Sequence, residues 1–161
     1  MKGRNSHIFL AALLMLSLSS CTKPAESFSL VMSEDATDRI YTFPVHLTDT
    51  TKVYSTGIAA RIDCNSELKN NKSVIYEITV KSPRGDISKE LVTFPLEKAD
   101  NISIYRRGGS VVDALWPYRD NIRICGSETG EWTVQIQPVG KAAGKATLGM
   151  GFHYKESDGE R

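Results

Sequence analysis

Residues 73–94 read SVIYEITVKSPRGDISKELVTF, and this stretch decides the fold. Val74, Tyr76, Ile78 and Val80 fall at every second position with mostly polar residues between them. That is the two-residue period of a strand with one buried face, and it excludes the 3.6-residue period of a helix. Pro83-Arg84-Gly85-Asp86 then supplies a fixed φ, a residue tolerant of positive φ, and a polar turn side chain. The integrin-type tripeptide Arg84-Gly85-Asp86 is accounted for by this turn chemistry alone. Ile87 to Phe94 is the returning strand, so the segment is a β-hairpin.

The same period extends outward in both directions. Tyr41, Phe43, Val45 and Leu47 alternate with Ile40, Thr42, Pro44 and His46; Pro44 lacks a ladder donor, which points to an edge strand or a bulge. Val53 to Ile62 carries Tyr54, Ile58, Ala60 and Ile62 on one side. Asn65 to Asn71 is a polar turn, and Asp100 to Tyr105 a weaker strand. Arg106 to Trp116, with Gly108-Gly109, reads as an irregular connection, and Asn121 to Cys125 as a short strand. Trp132, Val134 and Ile136 share a face, as do Leu148, Met150, Phe152 and Tyr154; Gly140 to Gly144 reads as a flexible loop between those strands. No long amphipathic helix is apparent. Short strands separated by turn signals give an all-β class in a single domain: an antiparallel β-sandwich or a jelly-roll-like fold.

The N-terminus follows a different rule. Lys2 and Arg4 precede an apolar run from Ile8 to Leu18, followed by Ser19, Ser20 and Cys21. Positive, apolar and small-residue regions in that order are the layout of a secretory signal. As a helix the run would span about 16 Å, too short for a hydrocarbon core of about 30 Å. Leu18-Ser19-Ser20-Cys21 resembles the lipobox of bacterial lipoproteins, and the resemblance implies that Cys21 becomes the acylated first residue of the mature chain. The expected organisation is a signal peptide over 1–20, a lipidated tether over 21–27, a sandwich over 28–155 and a polar tail over 156–161.

Charge narrows the partners. Residues 1–20 hold two of the 20 Lys+Arg and none of the 19 Asp+Glu, leaving the mature chain with 18 bases against 19 acids. Interspersed signs near neutrality provide no electrostatic footprint for nucleic acid and no polybasic block for lipid headgroups. Attachment to a membrane would come from the N-terminal lipid, and stable anchoring takes more than one acyl chain.

Cys64 and Cys125 are the other cysteines. In an oxidising compartment they would be able to pair, and a bridge closing so long a loop contributes about 4 kcal/mol in the chain-entropy model. Two unbridged, buried thiols are the competing expectation. No metal site is expected: there is no C-x-x-C, and His46 and His153 lie far apart in sequence. G-x-S-x-G, H-E-x-x-H and P-loop motifs are absent. Glu77, Glu90, Glu97 and Asp113 are the carboxylates a hydrolase would draw on, but acids and bases in ordinary numbers favour a solvated surface, and no cofactor and no catalytic activity are expected.

For binding, Trp116-Pro117-Tyr118 near Tyr105-Arg106-Arg107 combines the residue types enriched in recognition hot spots and in sugar stacking. Trp116 and Tyr118 plugging one end of the sandwich is the plainer expectation, and Trp132 is expected in the core.

Read together, Pro83-Arg84-Gly85, Arg119-Asp120-Asn121, Gly130-Glu131-Trp132-Thr133-Val134-Gln135-Ile136 and Leu148-Gly149-Met150-Gly151-Phe152 occur in that order behind the lipobox. The arrangement resembles the gliding-motility-associated lipoprotein H family of the Bacteroidota over roughly residues 28–155. The resemblance implies a β-sandwich lipoprotein of the cell envelope, linked to gliding or its associated secretion machinery, with unidentified envelope proteins as partners. Gln137-Pro138-Val139-Gly140 departs from the basic, methionine-bearing stretch of that family, and no catalytic residues carry over. Asp49-Thr50-Thr51 resembles an O-glycosylation sequon of envelope proteins in that phylum, with Thr50 as acceptor. The residues after Cys21 lack the acidic cluster associated with surface export there, which implies an outer-membrane protein facing the periplasm. The alternative is a glycan-binding surface lipoprotein with Trp116, Tyr118 and Tyr105 as its platform.

Overall fold

The computed structural model describes residues 26–32, 40–49, 51–64, 68, 70–97, 100, 102–123 and 128–157. Among these residues nine strands and one short helix follow in chain order: β1 (Glu26–Met32), β2 (Tyr41–Leu47), β3 (Val53–Asp63), β4 (Ser73–Lys81), β5 (Ile87–Pro95), β6 (Ser103–Gly108), β7 (Val111–Arg123), β8 (Gly130–Pro138), α1 (Lys141–Ala146) and β9 (Thr147–Ser157). They form a five-stranded sheet in the order β1-β9-β3-β7-β6 and a four-stranded sheet in the order β2-β8-β4-β5. Every pairing is antiparallel. Setting β6 aside, the chain steps between sheets so that β1-β9-β3-β7 faces β2-β8-β4-β5, the interlocked Greek keys of a jelly roll. The expected sandwich is therefore present, and its connectivity is the jelly-roll one.

Alternation explains the core. In β2 the burial pattern is strictly in-out through Tyr41, Phe43 and Val45, and β4 buries Val74, Tyr76 and Ile78. From the other sheet Ile58, Ile62, Trp116, Met150 and Phe152 point inward, and Ile136 of β8 meets them. Rings bridge the two layers: Phe43 lies 6.2 Å from Phe152, and Tyr76 6.4 Å from Trp116. Each such side chain, fully buried, contributes about 1.5–3 kcal/mol of transfer free energy. Trp132 is partly buried against the same core, as its parity with Val134 and Ile136 requires. Pro44 lies in β2, which is an edge strand, so its missing N–H costs no sheet bond.

The hairpin of residues 73–94 forms as expected, with Ser73 opposite Pro95 and Lys81 opposite Ile87 in unbroken register. Its turn closes through Gly85 N–H to the Ser82 carbonyl (2.9 Å), and Gly85 takes φ 95°.

Three expectations are corrected. Arg106 to Trp116 is no irregular connection: β6 and β7 form a second hairpin turning at Gly109-Ser110, and β7 continues through Pro117 to Arg123, taking in residues 121–123 of the separate strand expected at 121–125, whose last two residues lie outside the described ones. Pro117 is tolerated because β6 pairs only with residues 111–115 of β7, and β3 changes register opposite it. Gly140 to Gly144 is not a flexible loop. After Gly140 at φ 89° the Ala-rich run closes one helical turn, Gly144 N–H to Gly140 O at 3.0 Å, and Ala143, Gly144 and Ala146 are buried. Burial against the sandwich end stabilises a helix too short to persist alone. Finally, β1 begins at Glu26 and β9 ends at Ser157, so the sandwich reaches beyond the expected 28–155 on both sides.

Gly130 opens β8 at φ 135°, and a Cβ there would lie 3.2 Å from both Cβ and Cγ of Pro83. Gly130→Ala is expected to cost about 1–3 kcal/mol through backbone strain and this contact, read as a lower urea midpoint at unchanged slope. Gly85→Ala, with open space around it, carries only the strain, so the two variants separate the contributions.

Candidate binding surface

The candidate patch of Trp116, Tyr118 and Tyr105 is not assembled on one face: Trp116 is buried, in line with the plainer expectation, and Tyr105 stands exposed on β6. Trp116 is 1 % exposed and packs 4.8 Å from the Phe94 ring, its indole N–H donating to the Pro95 carbonyl at 2.8 Å. It ties β7 of one sheet to β5 of the other and cannot stack on a sugar. Tyr105, opposite Asp113, is 65 % exposed on β6, on the outer face that Trp116 leaves. Arg106 and Arg107 follow it in β6. The patch is thus split by strand parity, since neighbouring odd and even positions point to opposite faces.

Tyr118 belongs to a bond between the sheets. Its hydroxyl donates to Glu90 Oε1 of β5, the Arg119 Nη2 group donates to the same oxygen, and the Arg119 guanidinium lies 5.2 Å from the Tyr118 ring centre. Thr56 of β3 holds the Arg119 backbone from the other side, donating to its carbonyl at 3.1 Å. Burial, aided by the bond to Glu90, raises the Tyr118 phenol above its ordinary pKa and keeps it protonated. This is a clasp, built from a half-buried aromatic and a charge-assisted pair.

The carboxylates a hydrolase would need are dispersed. Asp113 is held by both Nε and Nη2 of Arg61 (2.7 and 3.0 Å) on the outer face of the five-stranded sheet. Glu77 pairs with Lys89 (3.1 Å) on the outer face of the other, Glu90 sits in the clasp, and Glu97 pairs with Lys72 (3.6 Å) at the sandwich end. Among the described residues no three His, Cys, Asp or Glu side chains gather as metal ligands would. His46 is exposed on the outer side of β2, and His153 is opposite Phe28 of β1 and Gly57 of β3 in the ladder.

Cys64 follows β3 and its N–H donates to the Ser110 carbonyl at 2.9 Å. Cys21, Cys125 and Thr50 lie outside the described residues, and with them the lipidation, disulfide and glycosylation expectations. Beside Thr50, the Thr51 N–H and hydroxyl both donate to Asp49 Oδ1 (2.8 and 2.6 Å), which lowers the Asp49 pKa. No helix among the described residues is long and apolar enough to cross a membrane.

What the sequence reading passed over is the α1 end of the four-stranded sheet. A cavity of about 450 Å³ opens there between Leu68, the residues 70–73 leading into β4, and the β8–α1 corner. Leu68, Val74 and Ala143, all buried, form its apolar floor; Asn70, Asn71, Lys72 and Lys141 supply polar groups at the rim. The corner is fixed by Val139 N–H donating to the Ile75 carbonyl at 2.9 Å. Beside the mouth, Ile75 (41 % exposed) and Val139 (41 %) leave apolar surface uncovered. A signal was available in the sequence: Ile75 and Leu91 are apolar at positions where the alternation calls for polar residues, and Ile87 opens β5 on the same outward parity. Such a concave site with an apolar floor and a few polar groups is suited to a side chain or a small ligand. Compared with known proteins, the chain matches no family model, no curated protein and no solved structure.

Proposed function

We propose that this protein is a lipid-anchored, non-catalytic binding module of the cell envelope that docks partner proteins on the α1 end of its four-stranded sheet. The observation that carries the reading is the cavity of about 450 Å³ with Ile75 and Val139 exposed at its mouth. Large exposed apolar side chains beside a preformed recess are the makings of an interface hot spot. The separation of Asp113, Glu77, Glu90 and Glu97 into different ion pairs supports binding rather than hydrolysis. The anchor rests on the Lys2-to-Cys21 layout, and the motility or secretion role rests on the resemblance to the lipoprotein H family alone. A lipid tether raises the effective concentration of partners confined to the same membrane.

Two measurements test this. Labelled palmitate is expected to enter the wild-type chain and not Cys21→Ala; incorporation into both removes the anchor. Crosslinking and affinity isolation from envelopes is expected to recover a partner that Ile75→Glu loses by at least about tenfold. Equal recovery with that variant would refute the docking face.

A glycan-binding reading is favoured by the amides of Asn70 and Asn71 at the same rim. It predicts specific retention on a glycan array that Asn71→Ala abolishes while Tyr105→Ala does not. Retention lost only with Tyr105→Ala would move the sugar site to the other sheet.

A further inference from the structure

We infer that two copies of this chain associate edge to edge through β5, joining their four-stranded sheets into one. This does not depend on the function proposed above, which uses the cavity end of the sheet.

Among the described residues β5 is the last strand of its sheet and pairs only with β4. The ladder between them is bracketed by Ser82 N–H to Asp86 O (2.9 Å) and Leu96 N–H to Lys72 O (2.8 Å), with constant register between. Antiparallel pairs alternate between hydrogen-bonded and non-bonded. The residues of β5 bonded to β4 are therefore Ser88, Glu90, Val92 and Phe94. Ile87, Lys89, Leu91 and Thr93 turn their backbone N–H and C=O groups outward along the edge. Pro95 has no N–H, and its carbonyl accepts the Trp116 indole. Ile87 is 63 % and Leu91 68 % exposed on the same strand. A long, bulge-free edge bearing exposed apolar residues is a template for another strand.

The pattern is self-complementary. An antiparallel two-fold through Leu91 sets Leu91 against Leu91 of the second copy, Lys89 against Thr93, and Ile87 against Pro95. It uses the free groups of Lys89, Leu91 and Thr93 on both copies in about six main-chain hydrogen bonds. Charge agrees with this occupant. Lys89 and Glu77 pair at 3.1 Å on the outer face, so the two copies place alternating charges around the Leu91–Leu91 contact. Glu90 falls opposite Val92, and no like charges are directly opposed, an arrangement that would otherwise destabilise the pair.

Sedimentation of the full chain in detergent across about 1–300 µM is the test, the range suited to a small interface. A reversible monomer–dimer equilibrium is expected, weakened at least tenfold by Leu91→Lys and unchanged by Ile75→Glu on the neighbouring strand, so failure here is distinct from failure of the docking face. Directly opposed bonded residues lie about 5.5 Å apart at Cα, within disulfide reach. Leu91→Cys is therefore expected to give an oxidised dimer mapped by mass spectrometry to position 91, while Thr93→Cys does not link to itself. A monomer throughout the range, a dimer indifferent to Leu91→Lys, or equal linking at 93 would each overturn the inference.

Discussion

Trp116→Ala is expected to lower the unfolding free energy by about 3–5 kcal/mol, the range for removing a large aromatic side chain from a packed core. The indole is 1 % exposed, contacts Phe94 at 4.8 Å and Tyr76 at 6.4 Å, and belongs to the sheet opposite both. Deleting it removes apolar burial, opens a cavity between the layers, and strips the Pro95 carbonyl of its donor. Trp116→Phe separates these terms. It keeps most of the packing and loses the hydrogen bond, so a smaller loss of about 1–3 kcal/mol is expected. Urea unfolding followed by circular dichroism measures both, with the midpoint falling at nearly constant slope. A loss below about 1 kcal/mol for the alanine variant would mean that the indole does not tie the sheets together.

The second large effect concerns the polar groups sealed under α1. Thr147 is fully buried; its hydroxyl donates to the Ala143 carbonyl at 2.8 Å and shares a 3.0 Å hydrogen bond with the Tyr76 hydroxyl. Tyr41 donates to the Thr147 carbonyl at 3.3 Å. Thr147→Val keeps the shape and orphans the Tyr76 hydroxyl, and about 1–3 kcal/mol is expected to be lost. Adding Tyr76→Phe removes the orphan, so the double variant should recover part of that loss, a signature of coupling.

The same group predicts alkaline behaviour. Burial raises the Tyr76 pKa well above its ordinary value of about 10, as burial does for Tyr54, and for Tyr118 together with its bond to Glu90. Above pH 10 the unfolded phenol releases its proton while the folded one keeps it, so the folded state binds more protons. Stability is therefore fully present below pH 10 and falls as pH rises through the unfolded value toward the folded one. Tyr76→Phe should reduce this decline by close to one proton, about 1.4 kcal/mol per pH unit. An unchanged alkaline slope in the variant would show that Tyr76 already ionises in the folded state.

The candidate surface was legible in part. Ile75 and Leu91 are apolar on the side of β4 and β5 that alternation leaves to polar residues, a local signal present in the sequence. The cavity was not legible, because its walls come from residues 68, 70–75 and 139–143, brought together only by the pairing of β4 with β8. Trp116 was readable both as a platform and as a buried plug for a related reason. Gly108-Gly109 and Pro117 obscured the inward run of Val112, Ala114 and Trp116, and only the closure of β6 on β7 makes that parity plain.

The amino-acid order by itself determined that this chain makes strands, where its central hairpin turns, and that Pro44 belongs at an edge or a bulge. Those follow from a two-residue period and from turn chemistry, which act over a few neighbouring positions. Tertiary structure alone decided that the strands interlock as a jelly roll, that an Ala-rich loop winds into α1, and that Tyr118, Arg119 and Glu90 join two sheets. Each depends on which distant face is available to be buried, a quantity that no local stretch of sequence contains.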